Sequence, residues 1–348
     1  MSADPFRGHL FVRAPNWVGD LVMATPVLEA AVRDPRFERV SVGLRPHLRG
    51  VLAGGPVAPH VVPLAKDERD TYRELAPDVA LLLTNSFGAA LRARRAGVPV
   101  RVGSSLSNRG ALLTHRLRPP TRLGHRAAIP TAHLVRDVAA LAGVLAPDLH
   151  PRLAFEDAVA ERARAALAAA GVPADRRFVV CCPGAAFGAA KLWPPERFAA
   201  ALDALFEREG LVGFLTGAPA EAAIVDAVAA ACRHPVCVAP PDARDLENLK
   251  VWIHDAALLL VGDSGPRWYA AAFDVPCVSV MGPNSPELTA SSLEHASIVR
   301  VEGLDCSPCL ARTCPLGHHA CMTELTTDAV VDAALERLAN DPRGARAS

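Results

Sequence analysis

Lysine is almost missing from this chain. Of 37 basic residues in 348, only Lys66, Lys191 and Lys250 are lysines, so each stands out against an arginine background. Aromatic residues make up 5%, and the 51% hydrophobic content comes largely from Ala, Val and Leu, which suits helices and buried strands better than aromatic-lined surfaces. Net charge is absent as well: 37 Lys and Arg balance 37 Asp and Glu, which weighs against nucleic-acid binding by bulk charge. No apolar run reaches the ~18–20 residues of a membrane-spanning helix, and the opening MSADPFRGHLFVRAP lacks the charged-then-apolar pattern of a leader. A cytoplasmic chain is therefore expected, with at most peripheral contact to the inner face of a membrane. Nine cysteines is an odd number, and without a mark of secretion reduced thiols are expected rather than a disulfide framework.

What is present is a repeated alternation. At 348 residues the chain exceeds the roughly 250–300 at which a single core stops growing, so two domains are expected. Apolar runs of four to seven residues alternate with longer Ala-rich amphipathic stretches, the pattern of βαβ units and parallel sheets. Strands are expected at His9–Ala14, Val40–Leu44 and Val79–Leu83, then at Phe178–Cys182, Leu211–Thr216, Leu258–Gly262 and Cys277–Met281. Helices are expected at Asp20–Arg33, Glu156–Ala170, Pro195–Glu207, Glu221–Cys232 and Thr326–Leu338, the last packing back onto the first domain. The boundary falls near residue 155, giving domains 1–155 and 156–348. Two doubly wound α/β domains would face a central cleft, with the carboxyl ends of both sheets around it.

Four local motifs and one regional bias are candidates for chemistry. In Arg13-Ala14-Pro15-Asn16-Trp17-Val18-Gly19-Asp20, a strand end runs into a helix start. Asp20 in the first helical turn either complements the positive helix end or acts as a general base, since a carboxylate is ionised at neutral pH and accepts a proton from an attacking hydroxyl. Asn16 and Trp17 stand beside it, and Trp17 is read either as a wall of the site or as core. The run from Pro183 to Pro194 is rich in small residues and ends near Lys191. Small residues let backbone amides approach an anion while the lysine supplies a point charge, although an ordinary loop with a solvated lysine has the same composition.

Gly262-Asp263-Ser264-Gly265-Pro266 partly matches the nucleophile string of trypsin-like proteases, but it joins a buried strand to a helix, the wrong context for that chemistry. Amides at a helix start favour phosphate instead. Cys306-x2-Cys309-x4-Cys314-x6-Cys321, with His318 and His319 inside it, offers six soft ligands in 16 residues, yet its intervals match no standard zinc finger or ribbon, so a reduced structural loop is set ahead of metal binding. Finally, the 58 residues from Val79 to Arg136 contain no Asp, Glu or Lys but ten arginines, at 92, 94, 95, 101, 109, 116, 118, 122, 126 and 136. Without local acids to pair with, they suggest a cationic wall for an anionic acceptor or lipid head groups.

The segments PNWVGDLVMATPVLEAA (15–31), PGAAFGAAKLWPPERFAA (183–200), DSGPRWYAAAFDVPCVSVMGP (263–283) and CSPCLARTCPLGHHACM (306–322) together resemble the ADP-heptose:lipopolysaccharide heptosyltransferases of glycosyltransferase family 9, closest to the heptosyltransferase II branch. The resemblance runs in order over almost the whole chain. It implies a GT-B fold of two Rossmann-like domains, the acceptor bound mainly by the first and the nucleotide sugar by the second. It implies Asp20 as catalytic base, Lys191 as a phosphate-binding lysine, Glu221 as a carboxylate holding the donor ribose, and Asp263 and Gly265 within a donor-binding motif. Gly184, Ser264 and Trp268 join that donor set, and Asn16, Trp17 and Arg109 an acceptor set. Trp268 stands where the family usually has histidine.

The implied activity is inverting transfer of heptose from ADP-heptose, a donor substrate, to a hydroxyl of the anionic lipopolysaccharide inner core, with no obligatory cofactor or metal. The alternatives are a related transferase with another nucleotide sugar or acceptor and a non-catalytic donor-binding paralogue.

Overall fold

Short apolar runs become central strands of a parallel sheet because helices cover both faces. In the computed structural model of the chain, which describes residues 5–122, 125–341 and 343, five of the six residues of strand β1 (Gly8–Arg13) are buried. It is followed by α1 (Val18–Met23), α2 (Thr25–Val32), β2 (Phe37–Leu44), α3 (Arg49–Leu52), β3 (Val61–Pro63) and α4 (Glu68–Leu75). Then come β4 (Val79–Leu82), α5 (Phe87–Arg95), β5 (Val100–Ser104), β6 (His115–Leu117), the pair β7 (Thr121–Arg122) and β8 (His125–Arg126), and α6 (Thr131–Ala140). The six-stranded sheet has the order β3-β2-β1-β4-β5-β6, with all neighbours parallel. Phe11 of β1 lies between Ser41 and Ala80 in register and meets the Tyr72 ring edge to face at 4.9 Å, anchoring the core on one face of the sheet.

The chain divides into two compact units between Ala154 and Phe155. The second unit runs α7 (Asp157–Ala169), β9 (Phe178–Cys182), α8 (Pro195–Glu209), β10 (Val212–Leu215), α9 (Ala222–Ala231), β11 (Val236–Val238) and α10 (Leu246–Asp255). It continues with β12 (Leu258–Gly262), α11 (Pro266–Ala272), β13 (Cys277–Val280), β14 (Ala296–Val299), α12 (Ala320–Thr323) and α13 (Thr327–Ala339). Its sheet order is β11-β10-β9-β12-β13-β14, the same winding again. Both sheets are thus doubly wound, as the alternation of the sequence implies. Helix α13 packs on α8, β13 and β14 of its own unit. Trp193 and Trp252 are fully buried, and each satisfies its indole N–H on a backbone carbonyl, Leu325 O at 3.1 Å and Ala163 O at 2.8 Å. Among the described residues, no helix is long and apolar enough to cross a membrane.

Two departures from the sequence reading have local causes. The helix expected over Asp20–Arg33 is two helices that meet at Ala24. Pro26 has no N–H to donate to Val22 O, and the Thr25 hydroxyl takes that carbonyl instead at 2.7 Å. Strands β3, β6 and β11 escape the pattern because each is three residues long; β5 and β14 do so because Arg101 and Ser297 interrupt their apolar runs.

Lys250, one of the three lysines, is fully buried on α10, and that burial pulls its ammonium down to about 8, against the partial support of Glu247, Asp245 and Glu156. Between pH 8 and the ordinary lysine range the unfolded chain binds this proton and the folded chain does not, so stability rises with pH across that window by an amount on the order of 3 kcal/mol. Urea unfolding at a series of pH values should show this rise in the wild type and its loss in Lys250→Met. Parallel curves for the two proteins would show that Lys250 titrates normally.

Candidate functional site

The order of each sheet reverses at one central point, between β1 and β4 in the first unit and between β9 and β12 in the second. Loops leaving the carboxyl ends of those neighbouring strands diverge to opposite faces and leave a crevice, the usual ligand site of open α/β sheets. Most of the sequence-predicted residues lie at or beside these two places.

In the first unit, Asn16 and Trp17 lie on the loop after β1, and Asp20 is half-buried in the first turn of α1. The loop is anchored from below. Arg13, the last residue of β1, is 1% exposed and donates through Nε and Nη2 to the Glu68 carboxylate at 3.2 and 2.9 Å. Its guanidinium also reaches Ala14 O, and Nη2 donates to Asn16 Oδ1 at 2.8 Å. Glu68 accepts a second cation, Arg45, at 2.8 Å, so one buried carboxylate faces two guanidiniums and leaves an excess positive charge at the carboxyl end of the sheet. The sequence offers no local sign of this pairing, since Arg13 and Glu68 are 55 positions apart.

Arg109, expected among the acceptor contacts, is fully buried. Its Nε donates to Ser104 O at 2.8 Å, Nη1 reaches the Thr84 and Ser86 carbonyls, and Nη2 donates to Ser104 Oγ at 3.3 Å. The side chain therefore braces the loop after β4 against the loop after β5, and burial pulls its guanidinium down to about 10. Arg101 is likewise committed to carbonyls, including Leu112 O at 2.8 Å, and Arg136 lies 2.8 Å from Asp137. Arg94, Arg95, Arg116 and Arg118 remain exposed, while the side chains of Arg122 and Arg126 lie outside the described residues. The cationic wall is thinner than ten arginines suggest, because several arginines serve as internal braces.

In the second unit, the loop after β9 carries buried Gly184, against which the Glu221 carboxylate packs so closely that a Cβ there would collide with it. Glu221 is fixed by the Ala218 amide, which donates to Oε2 at 2.8 Å. Lys191 lies with Nζ 2.5 Å from Asp263 Oδ2 and donates to Asp263 O at 3.2 Å. Asp263, at the end of β12, also accepts from Asn284 Nδ2 at 2.8 Å. Lys191, Asp263 and the Gly184–Glu221 contact thus meet at the carboxyl ends of β9, β10 and β12. Ser264 and Gly265 lead into α11, half-buried. Trp268 is 4% exposed, with the Arg267 guanidinium 4.4 Å from the ring centre. Arg267, itself buried, donates through Nη2 to Thr289 O and Ser291 O at 3.1 and 3.2 Å.

The cysteine-rich segment has a part in this site that its spacing did not reveal. Among the described residues, no group of three or more His, Cys, Asp or Glu side chains is placed to hold a metal ion, and the cysteines, Cys306, Cys309, Cys314 and Cys321 included, are free thiols. Instead the segment straps the loop that bears Lys191. Arg312 O accepts the Ala190 amide at 3.0 Å, His319 Nε2 donates to Ala190 O at 2.7 Å, and the Arg312 and Lys191 cations each lie 4.9 Å from the Phe187 ring centre. Ser307 Oγ and the Leu310 amide bond to Gly282 O and Pro283 O, both at 2.8 Å, tying down the loop that carries Asn284.

Removing Glu68 leaves Arg13 charged and buried with no carboxylate, a loss of about 3–5 kcal/mol for a broken buried pair. Glu68→Ala should therefore lower the melting temperature of the first unit well below that of the surface variant Asp70→Ala, a difference calorimetry would read. Equal melting temperatures would show that the pair contributes nothing.

The sequence pattern of glycosyltransferase family 9 (heptosyltransferase) matches residues 70–320. The chain is 27% identical over 313 residues to lipopolysaccharide heptosyltransferase 2 of Salmonella typhimurium, covering 84% of this chain and 88% of that protein. With lipooligosaccharide heptosyltransferase 2 of Campylobacter jejuni it shares 29% identity over 162 residues, 45% of this chain and half the length of that relative. The fold is similar to the solved structure of the Escherichia coli ADP-heptose lipopolysaccharide heptosyltransferase II, with a TM-score of 0.74 at 24% identity, covering 95% of this chain and 99% of that one. Two doubly wound parallel sheets in a GT-B fold, with a family pattern that spans the second half of the first unit and most of the second unit, make the chain a member of glycosyltransferase family 9, the heptosyltransferases.

Proposed function

We propose that this chain moves heptose from ADP-heptose to a hydroxyl of the lipopolysaccharide inner core, with inversion at the anomeric carbon. The observation that carries this reading is the joining of Lys191, Asp263 and the Gly184–Glu221 contact at the strand reversal of the second unit. That arrangement suits a nucleoside diphosphate sugar. The Glu221 carboxylate, held by the Ala218 amide, accepts hydrogen bonds from a ribose diol, and the absence of a side chain at Gly184 lets that carboxylate settle against the loop after β9. Lys191 brings the cation to the diphosphate, with Asp263 and the Phe187 ring fixing its position. Ser264 and Gly265 supply hydrogen-bond donors at the start of α11.

In the transfer, Asp20 takes the proton from the acceptor hydroxyl while that oxygen attacks the anomeric carbon from the face opposite the nucleotide. The bond from that carbon to the β-phosphate oxygen breaks, and ADP leaves with the electron pair. Lys191 stabilises the added negative charge, a contribution larger in the transition state than in the bound donor. The acceptor is anionic in this reading, and the positive excess around Arg13, Glu68 and Arg45 favours it electrostatically. A second reading, a transferase for another nucleotide sugar, is favoured by Trp268 alone, which replaces the family's usual histidine with a buried indole beneath Arg267.

Asp20→Asn should lower kcat for heptose transfer by roughly 10²-fold or more while ADP affinity in calorimetry stays near wild type. Near-normal turnover in Asp20→Asn would remove it as the base. Lys191→Ala should weaken ADP-heptose binding by roughly tenfold or more, the worth of a hydrogen bond to a charged group. An unchanged donor dissociation constant would place the diphosphate elsewhere.

A further inference from the structure

Aromatic residues are scarce in this chain, and most of the described ones are buried or half-buried. Among the described residues, the exposed large hydrophobic side chains include just two aromatics, Trp17 at 49% and Phe87 at 47%. Single exposed apolar side chains need no explanation, but the placement of this pair does. Trp17 lies four positions beyond the end of β1 and Phe87 five beyond the end of β4. β1 and β4 are hydrogen-bonded neighbours, and they are the strands between which the sheet order reverses. Trp17 therefore ends the loop after β1 and Phe87 opens the helix after β4, the two connections that flank the crevice of the first unit.

Each ring is preceded by an asparagine whose carbonyl end is anchored from below. Asn16 Oδ1 accepts from buried Arg13 at 2.8 Å, and Asn85 Oδ1 accepts from Ser104 Oγ at 2.6 Å, with buried Arg109 reaching it as well. Anchoring the oxygen sets which end of each amide is left for a ligand: the Nδ2 donors. Local capping explains why Phe87 is turned outward. Ser86 accepts the Ala89 amide at its Oγ and starts α5, so Phe87 takes the first helical position, before the apolar face of Ala89, Ala90 and Ala93 enters the core.

We infer that Trp17 and Phe87, with the amides of Asn16 and Asn85, form a carbohydrate subsite, and that Phe87 sets affinity for the acceptor by packing on the C–H face of a pyranose ring. A pyranose turns polarised C–H bonds toward one face and hydroxyls toward its rim. The negative face of an aromatic ring attracts the first, and amide donors serve the second. This inference rests on the reading of the first unit as the acceptor-binding part of a glycosyltransferase. It goes beyond that reading in assigning Phe87 and Asn85, which no motif singles out.

The test uses the full chain, ADP-heptose and a lipid-free inner-core oligosaccharide truncated before heptose addition. Phe87→Ala should raise the acceptor KM about tenfold with kcat within about twofold, a ratio that corresponds to about 1.4 kcal/mol. ADP affinity should not move, Phe87→Tyr should restore the acceptor KM, and Phe87→Leu should not. An unchanged KM in Phe87→Ala, or full recovery with leucine, overturns the inference. So does a loss confined to lipid-bearing acceptor in vesicles, which would make the rings a bilayer contact.

A second readout does not depend on turnover. Trp193, Trp252 and Trp268 are buried, so acrylamide quenching of tryptophan fluorescence reports on Trp17, and the oligosaccharide should protect it in the wild type and less in Phe87→Ala. Protection without transfer would defeat the proposed reaction and leave the subsite standing. Transfer with neither protection nor a KM effect would do the reverse.

Discussion

A parallel strand cannot be joined to its neighbour by a hairpin, so every connection in these two sheets must cross over, and most do so with a helix laid on one face. When the chain has built outward from the central strand to one edge it must return to the centre and build the other way. The point of return leaves two loops diverging from adjacent strand ends. Everything of chemical interest in the molecule follows from that constraint: Asp20, Trp17 and Phe87 belong to the reversal between β1 and β4, and Lys191 and Asp263 to the reversal between β9 and β12. A crevice made this way is floored by backbone, and its shape depends on how firmly the diverging loops are held.

Here the holding is done by charges taken out of water. Arg13 with Glu68, Arg109 with a ring of carbonyls, and Lys191 with Asp263 each bury a cation and compensate it with close acceptors. Such pairs add little net stability over apolar residues of the same size, but breaking one leaves an uncompensated charge. Their effect is to allow one geometry: Asn16 cannot rotate without abandoning Arg13, and Lys191 cannot wander from the end of β12 while Asp263 holds it. The 306–322 strap acts likewise on the other side of the Lys191 loop, through Arg312, His319 and the shared ring of Phe187. Preorganised charge of this kind is what a transition state with a departing diphosphate requires.

Much of this was legible beforehand. The strands at β4, β9 and β12 are continuous apolar runs and β1 is centred on Leu10–Val12, and Asp20, Lys191, Glu221 and Asp263 stand at the strand-to-helix junctions the alternation marks. What was not legible had specific causes. The break at Ala24 depends on a single missing N–H at Pro26, and the three-residue strands carry too few residues for a period. Arg109 has the same composition signal as its exposed neighbours, and only the convergence of the loops after β4 and β5 makes it a brace. The cysteines drew attention to a segment whose working contacts turn out to be those of Arg312 and His319.

The sequence by itself determined the two runs of alternating strands and helices and the residues placed at their junctions, because burial on both faces writes a strand as a short apolar run and one-sided burial writes a helix as a periodic one. Only the tertiary structure decided which of the many arginines are spent inside, that Glu68 closes on Arg13, and that Phe87 follows the strand next to the one that Trp17 follows. Those facts depend on which strands become neighbours. Neighbours in a crossover sheet are far apart in the chain, so no local pattern of residues records them.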